Sequence, residues 1–480
     1  MGKYLEALEK HENIGYTANG AITPKSTLNG VLDFFSKVGA LRGQEKEALK
    51  LFSKAYQQNP ILAIKTLFYM RDIRGGQGER ATFQYIIKNV ASVFEKYISL
   101  IPEYGRWDDI YTFIGTSMEN KALDVMKKQF ELDVKSSSPS LLGKWLKSIN
   151  TSSQESKELG RLTAKYFGLT EKQYRKTLSS LREKITIIEN NLRLKDYDSI
   201  EYEKVPSQAT KKYLKAFYRN DKDHFESYLN QVKNGEKKIN TSTLYPYQIS
   251  AKVRSYISEE EADALDVLWN NLPNYIDKEE NSICVVDTSG SMHSGHSNVA
   301  PIDVALSLGI YLAERNKGIF KDSFITFSQN PSLQKIEGEN IFSKIYSLNN
   351  AEWAMNTNLI AVFELLLNVA VENKIEEEEM IKRIYIISDM QFDAATGKNK
   401  KSNFEKIKKM YENSGYDVPQ LVFWNVNASD NQPVIFDEEG TMLVSGCSPS
   451  IMKNILNGKA TTPIDLMLEV LNSERYSLIQ

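Results

Sequence analysis

The sequence predicts a multidomain chain of two classes in series, a stack of α-helices followed by an α/β domain built on a doubly wound parallel sheet. Three observations carry that prediction. From about Leu28 to Asn270, apolar residues recur at three- and four-residue spacing with few strand-like alternations. From about residue 281 onward, short apolar runs alternate with helical stretches, the order that specifies parallel strands with helices on both faces. Two of those runs, Ile283–Val286 and Arg383–Ser388, end abruptly in carboxylate and hydroxyl side chains.

In the amino-terminal part, Pro60 opens a helix through Arg71, since proline is tolerated in a first helical turn. Gly75-Gly-Gln-Gly78 then breaks the helical pattern, and another helix is predicted from Glu79 to about Phe94. Amphipathic helices joined by short turns suggest an α-solenoid of the HEAT kind, although no strict sequence period is present. Asn234 to Pro246 is polar and turn-rich, and Ile249 to Leu272 again reads as helix. The domain boundary is placed near Glu279-Glu-Asn281, giving a helical domain over 1–280 and a sheet domain over 281–480.

In the carboxyl-terminal part, Ile283–Val286 reads as a buried strand, Ala300–Arg315 as helix and Asp322–Phe327 as strand. Leu359–Val371 follows as helix, Arg383–Ser388 as strand, Phe404–Tyr411 as helix, Gln420–Val426 as strand and Pro463–Leu471 as a closing helix. The acidic run Glu376–Glu379 reads as a solvated face, and Lys398–Lys401 as a surface loop.

Asp287, Ser289 and Ser291 stand at alternate positions just after the first strand. In an open α/β sheet the carboxyl ends of strands are where ligands bind. One carboxylate with two hydroxyls suits a hard divalent cation, Mg²⁺ first, with Mn²⁺ or Ca²⁺ as alternatives. This is the DxSxS pattern of von Willebrand factor A domains, where it opens the metal-ion-dependent adhesion site. The resemblance extends to Thr357, on a loop feeding a helix, as second-loop ligand, and to Asp389, at the end of another apolar run, as third-loop ligand. The plainer reading makes Asp287 and Asp389 caps of helices or strand ends. An aspartyl-phosphate hydrolase would want a second acid where Ser289 stands. His293 and His296 have an HxxH spacing, but no cysteine or third histidine lies near them in sequence to complete a zinc site.

The hydrophobic share of 41% and charged share of 25% are those of a soluble globular protein. Two cysteines in 480 residues fit a reducing compartment, with both thiols as small core residues. No apolar run approaches a membrane-spanning length, and Met1-Gly-Lys-Tyr-Leu-Glu6 satisfies neither a secretion signal nor a myristoylation pattern. A cytoplasmic location without membrane partners is therefore expected. The net charge of −2 conceals an asymmetry, with 43 basic against 37 acidic residues in 1–280 and 17 against 25 in 281–480. A polyanion would accordingly find its site in the amino-terminal part.

Arg71-Asp-Ile-Arg-Gly-Gly-Gln-Gly-Glu-Arg80 concentrates three arginines around a glycine turn. The turn could grip phosphate through Arg71, Arg74 and Arg80, or it could join two helices with its arginines paired to Asp72 and Glu79. The series Arg71–Arg80, Ile101–Asp109, Leu142–Ser153, Tyr174–Arg182 and Lys238-Ile-Asn-Thr241 resembles the TROVE-type module of the Ro autoantigen family, in its divergent bacterial and phage branch. That family couples a ring of helical repeats to a carboxyl-terminal von Willebrand A domain, the order found here. The resemblance implies a non-enzymatic scaffold that binds small structured or single-stranded RNA. Candidate RNA contacts are Arg71, Arg74, Arg80, Arg106, Lys144, Lys147, Arg175, Lys176 and Arg182. Trp107 and Trp145 lie close enough to them in sequence to stack on bases, or else they pack between helices. The competing expectation is a metal-dependent protein-interaction module whose cation captures an acidic residue of a partner. A metallonuclease lacks an acid–base constellation.

Overall fold

A computed structural model describes residues 3–185, 187–254, 257–295, 299–327, 330–349, 357–394, 402–429 and 431–480. Lys398–Lys401 and His296 lie outside these residues. The chain divides into two compact units, one holding residues 1–70, 75–79 and 244–480, the other 71–74 and 80–243. The sheet-bearing unit thus takes in far more than the 281–480 expected of it, and the helical unit is correspondingly smaller than 1–280.

The sheet-bearing unit opens with a two-stranded hairpin, β1 (Ile14–Tyr16) and β2 (Ile22–Pro24). Its main sheet has six strands, β3 (Ser282–Val286), β4 (Ser323–Thr326), β5 (Leu333–Lys335), β6 (Arg383–Ser388), β7 (Gln420–Asn425) and β8 (Thr441–Ser445). Their spatial order is β5-β4-β3-β6-β7-β8. All neighbours are parallel except β5, an antiparallel edge strand beside β4. The sheet is therefore mixed rather than purely parallel. Sequence periodicity does not show β5 because its three residues are mostly exposed and begin two residues after Pro331.

The central strands are buried on both faces, which explains their continuous apolar runs. On one face Ile283, Val285, Ile384, Ile386, Leu421 and Phe423 pack with Val362 and Phe363 of helix Leu359–Asn373 and Ile407 of helix Asn403–Ser414. On the other, helix Pro301–Arg315 comes so close that a Cβ on Gly309 would stand 2.6 Å from Val286. The strand order reverses between β3 and β6, whose carboxyl ends carry Asp287 and Asp389. This topological switch point is the usual ligand crevice of such sheets.

Helices Gly30–Phe35, Glu45–Gln58, Pro246–Ser250 and Glu259–Asn270 belong to the same unit. The helix expected over Ile249–Leu272 is interrupted, because Ser258 and Glu261 form a capping box that starts a new one at Glu259.

In the other unit every described regular element is helical. The segment after the arginine turn is helical over Ala81–Asn89 and then tightens to a 3-10 turn at Ala91–Phe94. Helices Glu119–Lys135, Gln154–Tyr166 and Glu171–Lys184 follow, the last begun by a Thr170–Gln173 capping box. Helices Ser207–Asn220 and Lys222–Lys233 close on a cluster of Tyr202, Phe217, Phe225 and Tyr228. Such aromatic contacts contribute about 0.5–1.5 kcal/mol each beyond their buried area.

Candidate functional site

Two groups of polar residues stand apart from the framework, one in each unit. At the switch point, β3 is followed at once by Asp287, whose side chain is fully buried. Its Oδ1 accepts the Ser289 N–H at 2.9 Å and its Oδ2 accepts the Ser388 hydroxyl at 2.6 Å. The Ser289 and Ser291 hydroxyls lie 3.1 Å apart, and Ser291 stands near enough to the Asp389 carboxyl to work against the rise that burial causes. Asp389 also accepts the Gln391 N–H at 3.1 Å. Four of the five predicted cation ligands therefore gather in one polar cluster.

Thr357 reaches that cluster through the loop after β6. Its hydroxyl donates to the Gln391 carbonyl at 2.9 Å or to Asp393 Oδ1 at 3.2 Å, and its N–H donates to Asp393 Oδ2 at 2.9 Å. Asn358 caps the helix that follows, fixing where Thr357 sits.

Burial raises the Asp287 carboxyl to about 6, with the nearby Asp389 charge adding to the effect, and burial raises Asp389 as well. Among the described residues no lysine, arginine or histidine pairs with either carboxylate. Two buried carboxylates without a counter-charge are costly, and a divalent cation would supply that charge. The oxygen-only donor set fits Mg²⁺ and does not suit zinc, which favours nitrogen and sulfur. Among the described residues no group of three or more His, Cys, Asp or Glu gathers to hold a metal ion, here or elsewhere, so this site offers two carboxylates and hydroxyls rather than a carboxylate cluster. Sequence reading missed Ser388, Gln391, Asp393 and Asn19 as parts of this site. Only Ser388, adjacent to Asp389, carried a signal.

In the helical unit, the 3-10 segment Trp107–Phe113 presents the buried Asp108 and Asp109. Asp109 accepts Arg71 through Nε at 2.9 Å and Nη2 at 2.8 Å, Arg80 Nε at 2.7 Å and Gln84 Nε2 at 2.8 Å. Burial works to raise the Asp109 carboxyl, but Arg71 and Arg80 outweigh it and hold the group below its ordinary value. Asp108 pairs with Arg80 at 2.7 Å, Arg106 at 3.2 Å and Lys147 at 3.6 Å.

The arginine turn is thus largely structural, with partners other than the Asp72 and Glu79 that sequence suggested. Arg71 is only 3% exposed and faces Asp109, so it offers nothing to a phosphate outside. Asp72 receives the Arg74 N–H, while Glu79 pairs with Arg42 within the sheet-bearing unit. Arg74 itself is exposed. Of the glycines, Gly78 carries the positive φ, +66°, that the turn requires.

Beside this cluster lies an open cleft of about 980 Å³. Arg106, Lys144, Arg175, Arg182, Arg193 and Lys212 line it, against only Glu183 and Glu189 among acidic residues. Arg106 stacks over Trp145 with its guanidinium 4.2 Å from the ring centre. Arg182 donates to the Gly143 and Leu146 carbonyls and the Ser148 hydroxyl, which makes it a brace for helix Leu142–Trp145. Lys144 is drawn to Glu189 at 3.4 Å. Arg175, Arg193 and Lys212 are exposed at the wall. Of the nine predicted RNA contacts, Arg106, Lys144, Arg175 and Arg182 line the cleft, and Lys147 and Lys176 do not. Arg193 and Lys212 were missed, because helix packing rather than sequence spacing brings them in. Trp145 lines the cleft half-buried, whereas Trp107 starts the 3-10 segment outside its lining.

Among the described residues no helix is long and apolar enough to cross a membrane. The chain is 28% identical over 517 aligned positions to uncharacterized protein L728 of Acanthamoeba polyphaga mimivirus, covering 96% of this chain and 87% of that one. The crystal structure of the Ro (RSR) protein of Deinococcus radiodurans aligns over 88% of this chain and 93% of its own, at 11% identity and a TM-score of 0.42. A family model described as "Domain of unknown function (DUF7788)" matches residues 281–474. A second, "Domain of unknown function (DUF2828)", matches residues 17–91 and 103–282, more than half of the sequence, and the chain belongs to that family.

Proposed function

We propose that this protein is a non-enzymatic scaffold that binds RNA through the helical unit and holds a divalent cation, Mg²⁺ first, at the sheet's switch point. The observation that carries the RNA reading is the cleft, where six cationic side chains face two carboxylates. Phosphates are bound by such clusters through charge-assisted bonds to arginine and lysine. The Ro-like motif series noted in the sequence points to the same ligand. The exposed members Arg175, Arg193 and Lys212 would meet the backbone, which positions RNA without reading its bases.

The alternative is a cation-bridged protein interaction, favoured by one observation: the Ser291 side chain of the carboxylate cluster is exposed, so a ligand from outside could complete the coordination. Salt and chelator separate the two readings. RNA binding should weaken steeply between 50 and 200 mM KCl and survive EDTA. Capture of an acidic partner should vanish in EDTA and return with Mg²⁺. Absence of salt-dependent binding to a labelled single-stranded RNA would refute the first reading.

A further inference from the structure

The tip of the amino-terminal hairpin, between β1 and β2, lies on the carboxylate cluster's second and third loops. Asn19 Nδ2 donates both to the Thr357 hydroxyl at 3.1 Å and to the Gln391 carbonyl at 2.7 Å. The Asn19 carbonyl accepts the Ala394 N–H at 3.2 Å. Thr17 donates its hydroxyl to the Phe392 carbonyl at 2.6 Å, and the Ala18 N–H reaches Gln391 Oε1 at 2.7 Å. Gly20 forms a bridge with Asp393. Among the described residues, these contacts of the tip outside its own hairpin fall on Thr357 or on residues 391–394, which begin two residues after Asp389.

The hydroxyl of Thr357 has one proton and two lone pairs. Its proton goes to Gln391 or Asp393, and Asn19 occupies one lone pair. Among the described residues one lone pair remains, and its direction is set by the other two bonds. We infer that Asn19 is a positioning residue of the proposed cation centre, aiming Thr357 and clamping the loop after β6 from a point more than three hundred residues away in sequence. The inference rests on the cation reading above. Partners that orient a metal's ligands in this way typically hold about 10–100-fold in metal affinity.

The test uses the full chain and Mn²⁺ as probe, with affinity measured by calorimetry and unfolding midpoints measured without metal. Asn19 is exposed in a turn, so Asn19→Ala and Asn19→Ser should fold. Both should bind Mn²⁺ at least about 10-fold more weakly than the natural chain. Thr23→Val is the control for hairpin stability. It removes the 2.5 Å bond from Thr23 to the Gln432 carbonyl, at the far end of the hairpin from Thr357. That variant should lose some thermal stability and keep its affinity. If the natural chain binds Mn²⁺ and both Asn19 variants bind it equally well, the positioning role is wrong while the cation centre stands. If the natural chain binds none, the centre itself fails and the inference with it. A Thr23→Val affinity that falls alongside those of the Asn19 variants reduces the effect to general hairpin stability and also overturns it.

Discussion

Replacing Arg175, Arg193 and Lys212 together by Gln isolates the electrostatic contribution of the cleft. All three are exposed, so the substitutions should leave the fold's stability within about 0.5 kcal/mol. Arg182, which braces the wall through three hydrogen bonds, is left in place. For single-stranded RNA each neutralised phosphate contributes a slope of about 0.7 to the fall of log affinity with log salt. If these three residues and Arg106 each meet one phosphate, the natural chain should have a slope near 2.8 and lose about 50-fold in affinity between 50 and 200 mM KCl. The triple variant, left with one such contact, should have a slope near 0.7 and lose about 3-fold over the same range. Fluorescence anisotropy with labelled RNAs of unrelated sequence reads both slopes. A variant that keeps the natural slope would show that the cleft does not hold the phosphates. A variant whose loss depends on RNA sequence would show that these side chains read bases.

Arg71→Gln should cost about 3 kcal/mol, because Asp109 stays buried with part of its counter-charge gone, and RNA affinity should be unchanged. The sign with pH follows from the lowered Asp109 carboxyl: the stability it contributes is present above the unfolded value near 4 and is lost as pH falls through the folded value, so urea denaturation should show the gap to the natural chain closing in acid. Lost RNA affinity in a variant of undiminished stability would return this arginine to the binding surface. Asp287→Ala should abolish Mn²⁺ binding in calorimetry and, by removing one of two like charges, raise the melting temperature of chelated protein; retained Mn²⁺ binding would count against the centre. Gly78→Ala should cost about 1–3 kcal/mol, since φ is +66° there and a Cβ would stand 2.3 Å from the Tyr245 hydroxyl, a loss readable from the thermal midpoint.

Legibility in the sequence followed burial. β3, β6 and β7 were readable because both faces of each are covered, which forces apolar runs of four residues with a sharp polar end. β8 is equally buried, but its apolar run, Met442–Val444, is only three residues long, too short to separate strand from loop without its neighbours. The DxSxS spacing exposed Asp287, Ser289 and Ser291 because consecutive ligands on one loop leave a local pattern. Asn19 left none, since its relation to Thr357 exists only after the hairpin has docked. The cleft failed for a similar reason. Arg193 and Lys212 sit on different helices, and no spacing rule relates them to Arg175. The compact units were not legible either, because residues 1–70 carry the same helical periodicity as the unit to which they do not belong.

The two pairs of buried carboxylates in this chain bear on each other. Asp108 and Asp109 are surrounded by Arg71, Arg80, Arg106 and Lys147, and Asp109 is held in its ionised form as a result. Asp287 and Asp389 are as deeply buried, yet among the described residues they are met only by hydroxyls and backbone N–H groups, and both carboxyls are pushed up. One buried acid pair is neutralised by four cations, and among the described residues the other, at the crevice of the sheet, meets none. Neutral donors alone offset only part of the cost of burying two like charges. A mere structural cap would need one carboxylate at a helix or strand end, whereas here two converge with a pair of serine hydroxyls and, among the described residues, no counter-charge. That imbalance, more than the motif that first drew notice to Asp287, is the reason to expect a cation there.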